Sequence, residues 1–295
     1  MPTSSKFCGN IDKRKKVRYN RGNDCKEEDA TMIKIGICSA HTDRDRLATV
    51  AKSGADYVEF CLNAFENCEK ERVKETAAML KEWKLPVRAY NGMFPWQGLR
   101  VTGKDMDVER IKDYLEDVLS ATDVFGAPYV VFGSSGARKM LEGDDKGRAQ
   151  ADLFRLFEEC IIPAFERHNR ILVIEPLNTK EDNLINTVHD GMAYVKTLGH
   201  PRIKCLCDFY HAGLLGEDFS SYTRYTGDLL HCHIAGLKSN RHAPLPTDGD
   251  DDFYASCFAS LKAMGYDGGV SVEGSWGEDF EEESRAAVNY LKSFL

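Results

Sequence analysis

The chain has 295 residues, is 42% hydrophobic and 29% charged, and carries a formal net charge of −8. There is ample chain for a large core, and no stretch reaches the roughly 18 consecutive apolar residues of a membrane span. Residues 1–31 hold eight lysines and arginines against five acids, which puts +3 there and −11 on the rest; so acidic a body argues against a nucleic-acid backbone as the main partner, since phosphate contacts need basic patches.

In chain order, residues 1–31 with their run "KRKKVR" read as a basic, polar N-terminal extension. They lack the apolar segment of a secretory signal. After them, short β-branched or apolar runs alternate with longer amphipathic ones. The runs expected as strands are 33–38, 57–62, 86–91, 129–133, 171–176, 203–208, 229–234 and 269–274. Helices are expected near 43–53, 69–83, 107–125, 146–168, 187–198, 217–226, 252–264 and 278–294. The helix over 146–168 is the clearest, with Ala149, Leu153, Leu156 and Cys160 at spacings of three and four. "DFYHAGLLGED" reads as a long loop, and "KSNRHAPLPTDGDDD" as a long insertion of the kind that carries function.

Eight strands alternating with eight helices imply a parallel sheet with crossover helices. Eight such units over about 260 residues fit a single α/β domain, a closed (β/α)8 TIM barrel spanning 32–295. The competing open sheet would show a glycine-rich phosphate turn after its first strand, and "GICSAHTDRD" has none. The ten cysteines form no CxxC pair, and several lie inside apolar runs. They read as reduced thiols of a cytoplasmic protein rather than zinc ligands.

Chemistry in such a barrel sits at the carboxyl ends of the strands. The last four expected strands end in Glu175, Asp208, His233 and Glu273. Each interrupts an apolar run at its end, and burying all four without compensation is costly. A divalent cation at their centre removes that cost. Three carboxylates and one imidazole are a mainly oxygen donor set, which favours Mn²⁺ or Mg²⁺ over structural Zn²⁺. In "HCHIAG" the two histidines share a strand face, so His231 lies one layer deeper than His233 and is expected as a packed, hydrogen-bonded residue.

Around this centre, His211 stands three residues past Asp208, as a substrate contact or a loop histidine. Asn178 and Glu181 follow Glu175, and Glu181 is either a partner for a substrate hydroxyl or a solvated acid. Arg241, in the long insertion, reaches a hydroxyl or phosphate or is simply solvated. Phe94 and Trp96 in "YNGMFPWQG" suit the apolar face of a sugar ring or the core. "VFGSSGARK" offers backbone N–H groups and Arg138 to a hydroxyl or an anion, without P-loop spacing.

The segments "EPLNTKEDNLINTVHDG", "CDFYHAGLLGED", "HCHIAG…NR" and "YASCFASLKAMGYDGGVSVEGSW" resemble the xylose isomerase-like barrel superfamily. They are similar to its sugar epimerase/isomerase branch, which includes the tagatose and psicose 3-epimerases. The resemblance covers residues 32–295 and is strongest over 171–276. It implies Glu175, Asp208, His233 and Glu273 as ligands of a divalent metal, Mn²⁺ first, with Mg²⁺, Co²⁺ or Zn²⁺ as alternatives. It implies Glu181, His211 and Arg241 as substrate contacts, with Glu175 and Glu273 as the acid/base pair of an epimerisation through an enediolate. It also implies a sugar substrate and a homo-oligomer, dimer or tetramer. The run "FYHAGLLGED" departs from the pattern of the ketose 3-epimerases, which puts the substrate in question. The same superfamily holds lyases and dehydratases of oxidised sugars and cyclitols, so that chemistry stands as the alternative.

Overall fold

The computed structural model describes residues 33–295; the expected extension over 1–31 lies outside them. Eight parallel strands close on themselves in sequence order: β1 (Lys34–Ser39), β2 (Tyr57–Cys61), β3 (Val87–Asn91), β4 (Tyr129–Phe132), β5 (Ile171–Ile174), β6 (Ile203–Asp208), β7 (Leu229–Ile234) and β8 (Gly269–Val272). β1 pairs with β8, Lys34 opposite Gly269, and this pairing closes the ring. The helices are α1 (Arg44–Lys52), α2 (Lys70–Glu82), α3 (Val108–Thr122), α4 (Ser135–Arg138), α5 (Lys146–Leu156), α6 (Ile162–Arg167), α7 (Val188–Leu198), α8 (Phe209–Leu214), α9 (Asp251–Ala263) and α10 (Phe280–Lys292). Among the described residues no helix is long and apolar enough to cross a membrane.

Strand parity sorts the side chains into two sets. One parity faces the helices: Ile35 and Ile37, Val58 and Phe60, Val130 and Phe132, Leu172 and Ile174, Cys205 and Cys207, Cys232 and Ile234, Val270 and Val272 are all buried in one core. The other parity faces the barrel axis. Low in the interior it supplies Val131, Val173 and Leu206, a separate small apolar cluster. One step further along the same strands it reaches Gly133, Glu175 and Asp208. The run that fills the barrel with hydrocarbon therefore delivers a carboxylate at its mouth.

Local signals start the helices. Asp43, Asp107, Asp145 and Asp279 each accept a backbone N–H of the first turn. Thr187 and Asp190 form a capping box at α7, and Gly199 ends that helix at φ 57°.

Three segments depart from the sequence reading. The helix expected over 146–168 is divided into α5, a π-helical turn Phe157–Ile161 and α6. Pro163 lacks the N–H that the ladder needs there, and the extra residue of the π turn absorbs the mismatch. The helix expected over 217–226 is a 3₁₀ segment, Phe219–Tyr225, capped by Asp218. The loop expected after Asp208 begins with α8, because the Asp208 carboxylate caps the N–H groups of Tyr210 and His211.

Candidate metal centre

Glu175 follows β5, Asp208 ends β6, His233 lies in β7 and Glu273 follows β8. The pairing register sets Asp208 directly beside His233, and the Glu273 N–H bonds the Ile234 carbonyl at 3.1 Å. Each of the four offers a ligand atom, and these atoms all lie within 4.8 Å of one another. Glu175, Asp208 and His233 are buried and Glu273 is half-buried. Three carboxylates converging on one imidazole carry an excess of negative charge that a divalent cation neutralises.

Each donor is held by its surroundings. Asp208 spends Oδ1 on the N–H groups of Tyr210 (2.8 Å) and His211 (3.3 Å), which leaves Oδ2 for the centre. Glu273 Oε1 accepts from Asn91 Nδ2 at 2.8 Å, and its Oε2 from Arg241 Nη2 at 2.8 Å. His233 Nδ1 lies 3.1 Å from Glu175 Oε1 and 3.3 Å from Glu273 Oε2. Gly133 makes room: a Cβ there would stand 2.0 Å from Glu175 Oε2.

The electrostatics follow from burial and neighbours. Burial raises the Glu175 pKa, against the pull of His233. Burial also works to raise that of Glu273, but His233 and Arg241 outweigh it and bring it to about 2. Burial alone would lower His233, yet the charges of Glu59 and Glu273 and its bonds to Glu175 and Glu273 lift it well above the ordinary range. One cationic ring among several carboxylates is the proton's answer to a site with the charge of a cation site.

The expected substrate contacts fall at the same mouth. Asn178 Oδ1 accepts the Lys180 N–H at 3.0 Å, so its amide nitrogen donates to Glu181 Oε1 (2.9 Å) and to His211 Nδ1 (2.8 Å). His211 is thereby an acceptor at Nδ1 and carries its proton on Nε2. That Nε2 is buried without a hydrogen-bond partner, 3.5 Å from Asp208 Oδ2 and 3.9 Å from Glu181 Oε2. A buried orphan donor beside the cluster suits a ligand oxygen. Arg241 bridges Glu273 and Glu181 (3.6 Å) and lies over the Tyr210 ring, at a positive φ of 67°. Strain of that kind in a non-glycine residue gathers at functional sites.

Other expected contacts lie elsewhere. Trp96 is 68% exposed on the loop after β3, and among the described residues no ring contact or hydrogen bond of its side chain ties it to the cluster. Phe94 is core, packed on Tyr114 and Phe132. Arg138 is not free for an anion. It is completely buried, paired with Asp182 at 2.8 Å, and donates to the carbonyls of Phe132 and Glu175. His231 is packed and hydrogen-bonded, as expected, with its Nε2 2.7 Å from Glu59 Oε2. Glu59 and Asn91 were missed in the sequence. Glu59 carries the signal used for the other acids, a charge inside the apolar run "YVEFCL"; Asn91, a neutral residue at a strand end, carries none.

The family described as the xylose isomerase-like TIM barrel matches residues 47–294 of this chain. Among curated proteins, the 3-dehydro-D-guloside 4-epimerase of Escherichia coli (strain K12) is 28% identical over 232 residues, 75% of this chain and 84% of that one. The L-ribulose 3-epimerase of Methylomonas sp. (strain DH-1) is 26% identical over 250 residues, 82% of each. Among solved structures, D-psicose 3-epimerase with D-tagatose from Clostridium cellulolyticum H10 superposes with a TM-score of 0.74 at 18% identity, covering 89% of this chain and 99% of that one. The apo 3-keto-D-glucoside 4-epimerase from E. coli superposes at 0.73 with 22% identity, covering 89% and 100%. At these identities the structural likenesses speak to the fold.

Proposed function

The chain belongs to the xylose isomerase-like TIM barrel family, and from that premise we propose that residues 32–295 form a divalent-metal-dependent epimerase of a keto-sugar. The two curated relatives described above are epimerases, and like them it is an enzyme of the isomerase class. That kinship favours epimerisation over the lyase or dehydratase alternative. The observation that carries the reading is the convergence of Glu175, Asp208, His233 and Glu273 within 4.8 Å at the barrel mouth.

The donor set fits an oxygen-preferring divalent cation, Mn²⁺ first. Such a cation supplies Lewis-acid stabilisation of the negative charge that develops on the substrate oxygens. The chain's own groups do the rest. Glu175 and Glu273 are the acid/base pair: one takes the proton beside the carbonyl and the other returns one, inverting the carbon. Arg241 and Asn91 hold Glu273 in place. The Nε2–H of His211 is directed at a substrate oxygen, and Glu181, held by Asn178 and Arg241, accepts from a hydroxyl. Burial of the cluster excludes water from the carbanionic species.

The test is a deuterium-exchange screen. Purified protein with Mn²⁺ in D₂O should wash deuterium into the carbon-bound position beside the carbonyl of a keto-sugar, ketohexoses and 3-keto-glycosides among them, and a chelator should stop it. Absence of exchange with every keto-sugar, metal present, rejects the reading.

A further inference from the structure

Beneath the four-residue cluster lies a second buried polar group. Glu59, on β2, is completely buried. Its Oε1 accepts from His233 Nε2 at 2.9 Å. Its Oε2 accepts from His231 Nε2 at 2.7 Å and from Ser271 Oγ at 2.6 Å. Tyr57 Oη stands 2.8 Å from Ser271 Oγ. The serine has one hydroxyl proton and gives it to Glu59, so the tyrosine is the donor in that last link. Tyr57, His231, His233 and Ser271 are all buried with Glu59.

A carboxylate only accepts hydrogen bonds. Both imidazoles must therefore present an N–H at Nε2. With that proton fixed on Nε2, the proton a cation would displace is the one on Nδ1, the atom that faces Glu175 and Glu273 at 3.1 and 3.3 Å, and its lone pair would then serve as the ligand. His231 Nδ1 is buried and has no hydrogen-bond partner, which agrees with its proton lying on Nε2. We infer that Glu59 is the positioning residue of the metal centre. It holds His233 as the Nε2–H tautomer with the Nδ1 lone pair aimed at the cation, while His231 and Ser271, backed by Tyr57, clamp Glu59 itself. The inference rests on reading the four-residue cluster as a cation site. A carboxylate behind a metal-binding imidazole fixes its tautomer and orientation, and loss of such a partner weakens metal binding about 10–100-fold.

Cys38, Glu59 and His233 also offer ligand atoms within 4.8 Å of one another, the outline of a second cation site. Both Glu59 oxygens are already engaged by three donors, and His233 Nε2 is engaged by Glu59. A cation there would have to displace the bonds that hold the ring.

The variant Glu59→Gln keeps the shape and alters the tautomer. Its amide presents N–H groups to one of two imidazole N–H groups. The ring facing the amide must move its proton to Nδ1, and for His233 that nitrogen is the ligand. Isothermal titration with Mn²⁺ should give one ion per wild-type chain, with affinity falling about 10–100-fold in Glu59→Gln and by less in Ser271→Ala. Melting of the metal-free variants reports whether the fold survives. If Glu59→Gln does not fold, ¹⁵N NMR of Mg²⁺-loaded wild type decides, and should find His233 protonated on Nε2. Wild-type affinity in folded Glu59→Gln, with binding lost in Glu175→Gln, overturns the positioning role and leaves the cation site standing; so does a His233 proton on Nδ1. Two ions per chain, the second lost in Glu59→Gln, would make Glu59 a ligand and overturn the role as well. A wild-type chain that binds no divalent cation overturns both readings.

Discussion

The two halves of the barrel meet at one mouth and contribute different things. β5 to β8 bring Glu175, Asp208, His233 and Glu273, all inward and all ionisable. β1 to β4, on the same inward face, bring Cys38, Glu59, Asn91 and Gly133. Of these, Asn91 holds Glu273, Gly133 leaves the space that the Glu175 carboxylate fills, and Glu59 holds the far side of His233. The difference teaches that a charged centre of this kind needs two populations of residues. One supplies donors from adjacent strands. The other, across the barrel, supplies hydrogen bonds and empty volume, and of its members only Glu59 stands out in sequence.

That division can be broken from the donor side first. Glu175→Gln or Glu273→Gln should lower deuterium exchange by about 10²–10⁴-fold, the usual contribution of a positioned acid or base, with circular dichroism unchanged. Full exchange in either variant would remove that residue from the pair. Next comes the buried pair that braces the end of β5. Arg138→Met leaves Asp182 charged and unpaired in a site where both side chains are fully buried, and urea unfolding should show a loss of about 3–5 kcal/mol. A loss under about 1 kcal/mol would mean that Asp182 finds other partners.

Removing the ion probes the centre as a whole. With free Mn²⁺ at a hundred times its dissociation constant, chelation should cost about 2.7 kcal/mol of stability, read as a drop in Tm, and re-addition should restore both Tm and exchange. An unchanged Tm would deny the cluster its ion. On the supporting side, Gly133→Ala puts a methyl 2.0 Å from Glu175 Oε2. Overpacking of this kind costs about 1–3 kcal/mol, and exchange should fall although no donor was removed; intact exchange would show that Glu175 has room to spare. The smallest effect is expected at Trp96. The residue is 68% exposed, so Trp96→Ala should shift stability by less than about 0.5 kcal/mol. A raised KM for the keto-sugar would bring the ring into the binding site, and an unchanged KM would leave it outside.

Much of this was legible in the chain. A charge at the end of an apolar run is a local signal, and Glu175, Asp208, His233 and Glu273 all show it. Glu59 shows it too, but in mid-strand, where nothing local says which residue across the barrel will pair with it. Arg138 illustrates the opposite failure. In sequence it is a loop arginine beside glycines and serines, free to bind an anion; in the fold Asp182, 44 residues away, uses it up. α8 is hidden in the sequence because Asp208 has two uses: one of its oxygens caps the helix and the other faces the centre. The π turn before α6 was hidden because Pro163 lies inside a long and regular apolar period.

The sequence alone determined the alternation of strand and helix, the parity of each strand and the end at which charged side chains appear. These depend on neighbours two to four residues apart, where backbone geometry dictates the spacing. Only the tertiary structure decided who meets whom: Glu59 with two histidines more than 170 residues on, Asn91 with Glu273, Arg138 with Asp182. Those pairings depend on ring closure and strand register, which set distances between residues far apart in the chain and leave no periodic trace along it.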